Sequence, residues 1–407
     1  MAPLCETPSP TRRALLGTGA ACFSWAFMPR WAHAAGARDT RFITIILRGA
    51  LDGLSAVAPI GDPDYAGLHG AIALGMTGDH AALPLDGFFA LNPAMPAFAE
   101  LFAAKQAAIV HATATGYRDR SHFDGQDVLE SGQPAPGITG SGWLNRALAA
   151  LPAGEAVAPR GLAVGAVSPL VMRGEAPVLG WAPQNLPTAS EDLARRVLAL
   201  YDQRDPGLHA ALGAGLASSR LAGNDAMAAA KGRMDMPEGM RQAAQGAARL
   251  LAADDGPRIA ALAFDGWDTH VNEGGATGRL AVLLGGLDGA IRAFKDGLGA
   301  AWADTTILAV TEFGRTARIN GTTGTDHGTG TVAFLAGGAV KGGRVLADWP
   351  GLKPQNLFEG RDLKPTIDLR SIMKGALGVQ WGLSDTVLAT QVFPGSEGIA
   401  ANTTLFV

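Results

Sequence analysis

Four short apolar runs, at 41–49 (RFITIILRG), 107–113 (AAIVHAT), 258–264 (RIAALAF) and 305–311 (TTILAVT), constrain this chain most. Each is continuous rather than alternating and too short for a core helix, which is the pattern of a strand covered on both faces. Their β-branched residues favour extended backbone. Amphipathic stretches intervene, among them 92–106 (NPAMPAFAELFAAKQ), 121–132 (SHFDGQDVLESG) and 278–298 (GRLAVLLGGLDGAIRAFKDGL). Strand followed by helix, repeated, predicts an α/β fold with a mainly parallel sheet between helical layers. With 407 residues, 47% of them hydrophobic, the chain can bury a core of that size. Functional groups then belong beyond the carboxyl ends of the strands.

From about 140 to 250 the alternation is harder to follow. The segments 160–174 and 176–181 read as strands, and 190–203 and 236–253 as helices. This part is expected to be an insertion or cap on the main sheet, and 368–377 (DLRSIMKGAL) a last surface helix.

Residues 1–34 are set apart from the fold. Arg12 and Arg13 precede a weakly apolar stretch that ends in Ala32-His33-Ala34, a small-x-small site. The layout resembles a twin-arginine export signal cut after Ala34, which implies the export machinery as a partner and a periplasmic or secreted protein. The stretch is too short and glycine-rich to leave a stable membrane span. Cys5 and Cys22, the two cysteines of the chain, both lie in it, so residues 35–407 have no disulfide or thiolate chemistry. The net charge of −4 gives no long-range attraction for nucleic acid.

Polar residues gather where the apolar runs end. Asp52 follows the first, in RGALDGLS; Ser121-His122-Phe123-Asp124 follows the second; Asp268 and His270 follow the third, in DGWDTH; Glu312 and Arg315 follow the fourth, in EFGRT, with Asp326 and His327 beyond in GTDHGTG. Each has an ordinary structural reading. Asp before Gly is common in turns, and Ser121 with Asp124 has capping-box spacing. Together they offer carboxylates, imidazoles and a hydroxyl to one sheet edge, the donor set of zinc or manganese. A hydroxyl at a helix N-terminus also meets free N–H groups suited to an oxyanion. Arg48 and Arg315 could pair with a tetrahedral anion, and His111, inside an apolar strand, reads as a buried structural histidine.

The segments LRGALDGLS, SHFDGQDVLESG, FDGWDTH, TEFGRT and GTDHG resemble the DUF1501 family of exported proteins, grouped with the alkaline phosphatase and sulfatase superfamily. The likeness spans residues 35–407 and implies an alkaline-phosphatase-like three-layer α/β/α fold with a middle insertion. It also implies an ordered site: Asp52 from the first strand, Ser121 as nucleophile, the Asp268/His270 pair, then two further elements. Asp326-His327 fits the fourth element, but then no final histidine follows. In the better alignment Glu312 stands at the fourth, with Phe313 at the usual histidine position, and His327 is the final ligand. Asp268, His270 and His327 then form one metal site, and Asp52, Glu312 and Ser121 a poorer one, which Asp326 or His122 could complete. The resemblance thus implies one or two divalent ions, with Arg315 as an anion clamp. The expected activity is hydrolysis of a phosphate or sulfate ester of a small molecule or polymer. The alternative is an exported binding or assembly protein with a degraded hydrolase site.

Overall fold

The first apolar run becomes β1 (Arg41–Leu47), buried throughout, and the rest of the main sheet is arranged around it. In chain order the other strands are β2 (Ala107–Ala114), β3 (Gly161–Val164), β4 (Val178–Trp181), β5 (Ile259–Phe264), β6 (Thr305–Val310), β7 (Thr331–Ala336), β8 (Arg344–Leu346) and β9 (Ile367–Asp368). They lie in the order β8-β2-β7-β6-β1-β5-β3-β4, with β9 also on β2. Every pairing is parallel except those of β7, which is antiparallel to both β2 and β6. The computed structural model describes residues 39–151, 161–183, 191–222 and 236–407. The expected export signal at 1–34 lies outside them. The middle of the chain, expected as an insertion or cap, supplies β3 and β4 to one end of the main sheet.

The helices relevant to the site are α1 (Pro96–Ala103), α2 (His122–Ser131), α3 (Trp143–Ala150), α4 (Glu191–Arg204), α5 (Pro206–Ala222), α6 (Pro237–Ala252), α7 (Arg279–Leu298) and α8 (Leu369–Trp381). Side chains of a strand alternate between faces, so β1 divides the core in two. Ile43, Ile45 and Leu47 join Phe98 of α1, Met240 of α6 and Leu284 of α7. Phe42 and Ile46 join Leu129 of α2, Trp143 of α3 and Ile372 of α8. Helices therefore cover both faces of an α/β sheet.

Strand register brings the edges level: Leu47 sits opposite Phe264, and Ile46 opposite Val310. Because β7 runs against its neighbours, its first residue lies near the edge where β1, β5 and β6 finish. The residues before β7 thus meet the residues after the other three. Gly49 closes this edge. It has φ 123°, and a Cβ there would come within 2.5 Å of the Asp268 backbone nitrogen, so only glycine lets the two loops touch.

His111 in β2 is a structural histidine, as its apolar setting implies. It is fully buried, its Nε2 lies 2.9 Å from the Val57 carbonyl, and its Nδ1 accepts the Ala112 N–H at 2.8 Å. Its ring stacks on Phe89 and meets Trp349 edge-on. Burial lowers its pKa from 6.5 to about 4. The unfolded chain therefore binds the extra proton between those values, and the fold loses stability as pH falls. The contribution is complete above pH 6.5 and gone below about 4, a loss on the order of 3 kcal/mol. Urea unfolding at pH 6.5 and pH 4 checks this: wild type is expected to lose more stability than His111→Gln by about that amount.

A candidate metal centre at the sheet edge

Three imidazoles and one carboxylate meet beyond β5 and β6. His122, the first residue of α2, has Nε2 2.9 Å from Nε2 of His327. His270 Nε2 is 3.0 Å from the same atom. Asp268 lies among them, its Oδ1 at 3.0 Å from His270 Nε2 and 3.3 Å from His327 Nε2, its Oδ2 at 3.4 Å from His122 Nε2. Ligand atoms of His122, Asp268 and His327 all lie within 4.8 Å of one another, so this group could hold a metal ion.

The outer nitrogens of the rings are also placed. Nδ1 of His122 faces Glu312 Oε1 at 2.9 Å, Nδ1 of His270 faces Asp326 Oδ1 at 3.2 Å, and Nδ1 of His327 faces the Arg120 carbonyl at 3.0 Å. An acceptor at Nδ1 favours a proton there, so each Nε2, once deprotonated, would point its lone pair inward, the arrangement that orients metal-binding histidines. Three such nitrogens with a carboxylate oxygen are a donor set for zinc or another first-row divalent ion.

Local structure explains each position. Arg120 adopts φ 61°, an uncommon conformation for a residue with a side chain, while its carbonyl faces His327. Ion pairs of its guanidinium to Asp362 and Glu359 anchor that turn. Phe313 is buried and serves as a floor: His122 stacks on it at 5.1 Å and His327 lies 5.5 Å away. Gly125 permits this, since a Cβ there would come within 2.9 Å of the Phe313 ring.

The electrostatics favour positive charge among these groups, whether a proton or a cation. Hydrogen bonding to Asp268 first, and to Glu312 next, raises the His122 pKa to about 9. Burial pushes the Asp268 carboxyl up, but hydrogen bonds from His122, His327 and Arg315 outweigh it and hold the group well below the usual carboxylate range. Glu312 is likewise lowered despite its burial, with His122 the leading partner.

Asp268, His270 and His327 thus stand together as the sequence suggests, and His122 completes them. Glu312 and Asp326 bind the outer sides of imidazoles. Glu312 also accepts the Gly49 N–H at 2.8 Å and the Thr311 hydroxyl at 2.9 Å. Asp52 is buried with partners of its own: Oδ1 accepts the Leu54 N–H at 2.9 Å, and Oδ2 lies 3.1 Å from His69 Nε2. Burial acts against its ionisation, yet His69 prevails and brings its pKa to about 2. Arg315 is buried, with Nη1 donating to Asp268 Oδ1 at 2.6 Å. Arg48 pairs with Glu130.

Ser121 stands at the N-cap position of α2, but its side chain makes no cap hydrogen bond. This corrects the capping-box expectation. Asp124 instead faces the Tyr117 hydroxyl at 3.4 Å, and that hydroxyl also accepts the Ser121 N–H at 3.1 Å, so Tyr117 ties down the turn. His69 and Glu273 were not legible as site neighbours. His69 ends a short helix (Tyr65–His69) and Glu273 lies in a loop, and neither has an apolar run or motif spacing to mark it.

The fold and cluster define an α/β protein with a candidate mononuclear metal centre at its sheet edge. The chain belongs to the DUF1501 family, described as "Protein of unknown function (DUF1501)", which matches residues 39–392. Comparison with curated proteins gave no match.

Zinc titration of the metal-free protein is expected to reach one equivalent, with affinity lowered at least about 100-fold in His122→Ala and in His327→Ala. Asp52→Asn is expected to leave the stoichiometry at one. Two equivalents, the second lost in Asp52→Asn, would instead place a further ion at Asp52.

Proposed function

We propose that this protein is an exported, metal-dependent hydrolase of phosphate or sulfate esters built on an alkaline-phosphatase-like fold. The observation that carries the reading is the convergence of His122, His270 and His327 Nε2 on Asp268, with an acceptor behind every imidazole. A divalent ion held there, zinc or manganese by its donors, would supply Lewis-acid stabilisation of charge developing on a tetrahedral ester. Asp52 and Glu312 have other partners, which favours one ion over two.

Ser121 is the nucleophile in this reading. It precedes the ligand His122, and its hydroxyl is not spent on a helix cap. Its oxygen bonds to phosphorus or sulfur as the bond to the leaving alcohol breaks, and water later releases the acid. The first-turn N–H groups of α2 have no intrahelical acceptor and favour an anion at that end. The twin-arginine pattern at 1–34 supports export to the periplasm or beyond.

A second reading, an exported binding or assembly protein with a degraded site, is favoured by the burial of Arg315 against Asp268, which removes it from an open anion-binding surface. Zinc-loaded protein assayed on aryl phosphate and aryl sulfate esters separates the two. Ser121→Ala is expected to lower kcat by at least about 1,000-fold while zinc content is unchanged. Background hydrolysis by wild type, with a melting temperature that falls on adding chelator, would favour the second reading.

A further inference from the structure

Behind Asp268 lies a buried chain of polar side chains. Arg315 Nη1 donates to Asp268 Oδ1 at 2.6 Å, and Arg315 Nε donates to the Thr325 hydroxyl at 3.1 Å. Thr325 in turn donates its hydroxyl proton to Glu273 Oε2 at 2.6 Å. Arg315, Thr325 and Glu273 are all essentially inaccessible to solvent.

The direction of this chain is determined by its chemistry. A guanidinium only donates, and a threonine hydroxyl has one proton. Since that proton goes to Glu273, a lone pair faces Arg315 Nε. Glu273 therefore orients the hydroxyl, the hydroxyl orients the guanidinium, and the guanidinium meets Asp268. Arg315 Nη2 is buried without a hydrogen-bond partner, so Nε and Nη1 carry the whole placement of the group. Removing the Thr325 hydroxyl leaves Arg315 held by Asp268 alone.

We infer that Thr325 and Glu273 are positioning residues which, through Arg315, fix the carboxylate of Asp268 for metal binding. The inference rests on the reading of His122, Asp268, His270 and His327 as a metal centre, and extends it through Arg315 to Thr325 and Glu273. Loss of a residue that hydrogen-bonds a ligand, as Arg315 does Asp268, changes metal affinity by about 10- to 100-fold, and loosening Arg315 is how a change at Thr325 acts. Threonine to valine keeps the shape and deletes the hydroxyl, whereas threonine to serine keeps the hydroxyl.

The test loads the full protein with cobalt(II) and measures its visible absorption and its affinity by competition with a chelator. Thr325→Val is expected to weaken cobalt binding about 10- to 100-fold and alter the absorption bands, and Thr325→Ser to stay within about threefold of wild type. Circular dichroism melts of the metal-free variants separate this from misfolding. If Thr325→Val melts early, Thr325→Ser must bind like wild type and Arg315→Lys must weaken binding for the inference to stand. Unchanged cobalt affinity and spectrum in Thr325→Val would overturn the relay while leaving the metal centre intact. A wild-type protein that takes up no cobalt and no zinc would overturn the metal centre and the relay with it.

Discussion

The carboxylate of Asp268 is the point on which the sheet edge depends. Two of the imidazoles approach its Oδ1, a third faces Oδ2, and a buried guanidinium donates to Oδ1 as well. A half-exposed carboxylate surrounded in this way stays ionised and holds its neighbours in one arrangement. Packing of imidazole nitrogens at about 3 Å is unfavourable unless a proton or a cation lies between them, because lone pairs would otherwise face one another. The structure thus concentrates donor atoms at one place and spends buried side chains on keeping them there.

That concentration follows from sheet topology. The parallel strands β1, β5 and β6 deliver their following loops to one edge, and the reversed strand β7 begins there. His327 is separated from His122 by 205 positions in the chain, yet their Nε2 atoms lie 2.9 Å apart. Gly49, Gly125 and Phe313 then act through shape, the glycines by permitting close approach and the aromatic ring by supporting two imidazoles. The role of Phe313 here is packing.

The second acidic group met a different fate from the first. Asp52 and Glu312 both follow buried strands, but one pairs with His69 and the other with the outer side of His122. Glu273, close to Asp52, is pushed well above the usual carboxylate range by burial and by the charge of Asp52. The molecule therefore has a solvent-facing cluster rich in imidazole and a buried cluster rich in carboxylate, joined through Arg315 and Thr325.

Much of this was legible in the sequence. Continuous apolar runs with β-branched residues determined where the buried strands fall, and the polar residues just beyond one of them identified Asp268 and His270, whereas His327 reaches the same edge because it precedes the reversed strand β7. The sequence also marked His111 as structural, since an imidazole inside an apolar run has only backbone partners to find. What it did not carry was orientation. Whether Ser121 caps its helix, whether Arg315 faces solvent or Asp268, and whether Asp52 meets His69 are decided by side-chain directions across loops far apart in the chain. Only tertiary packing sets those directions, and it is packing that placed His122 beside Asp268 and His327 and paired Asp52 with His69.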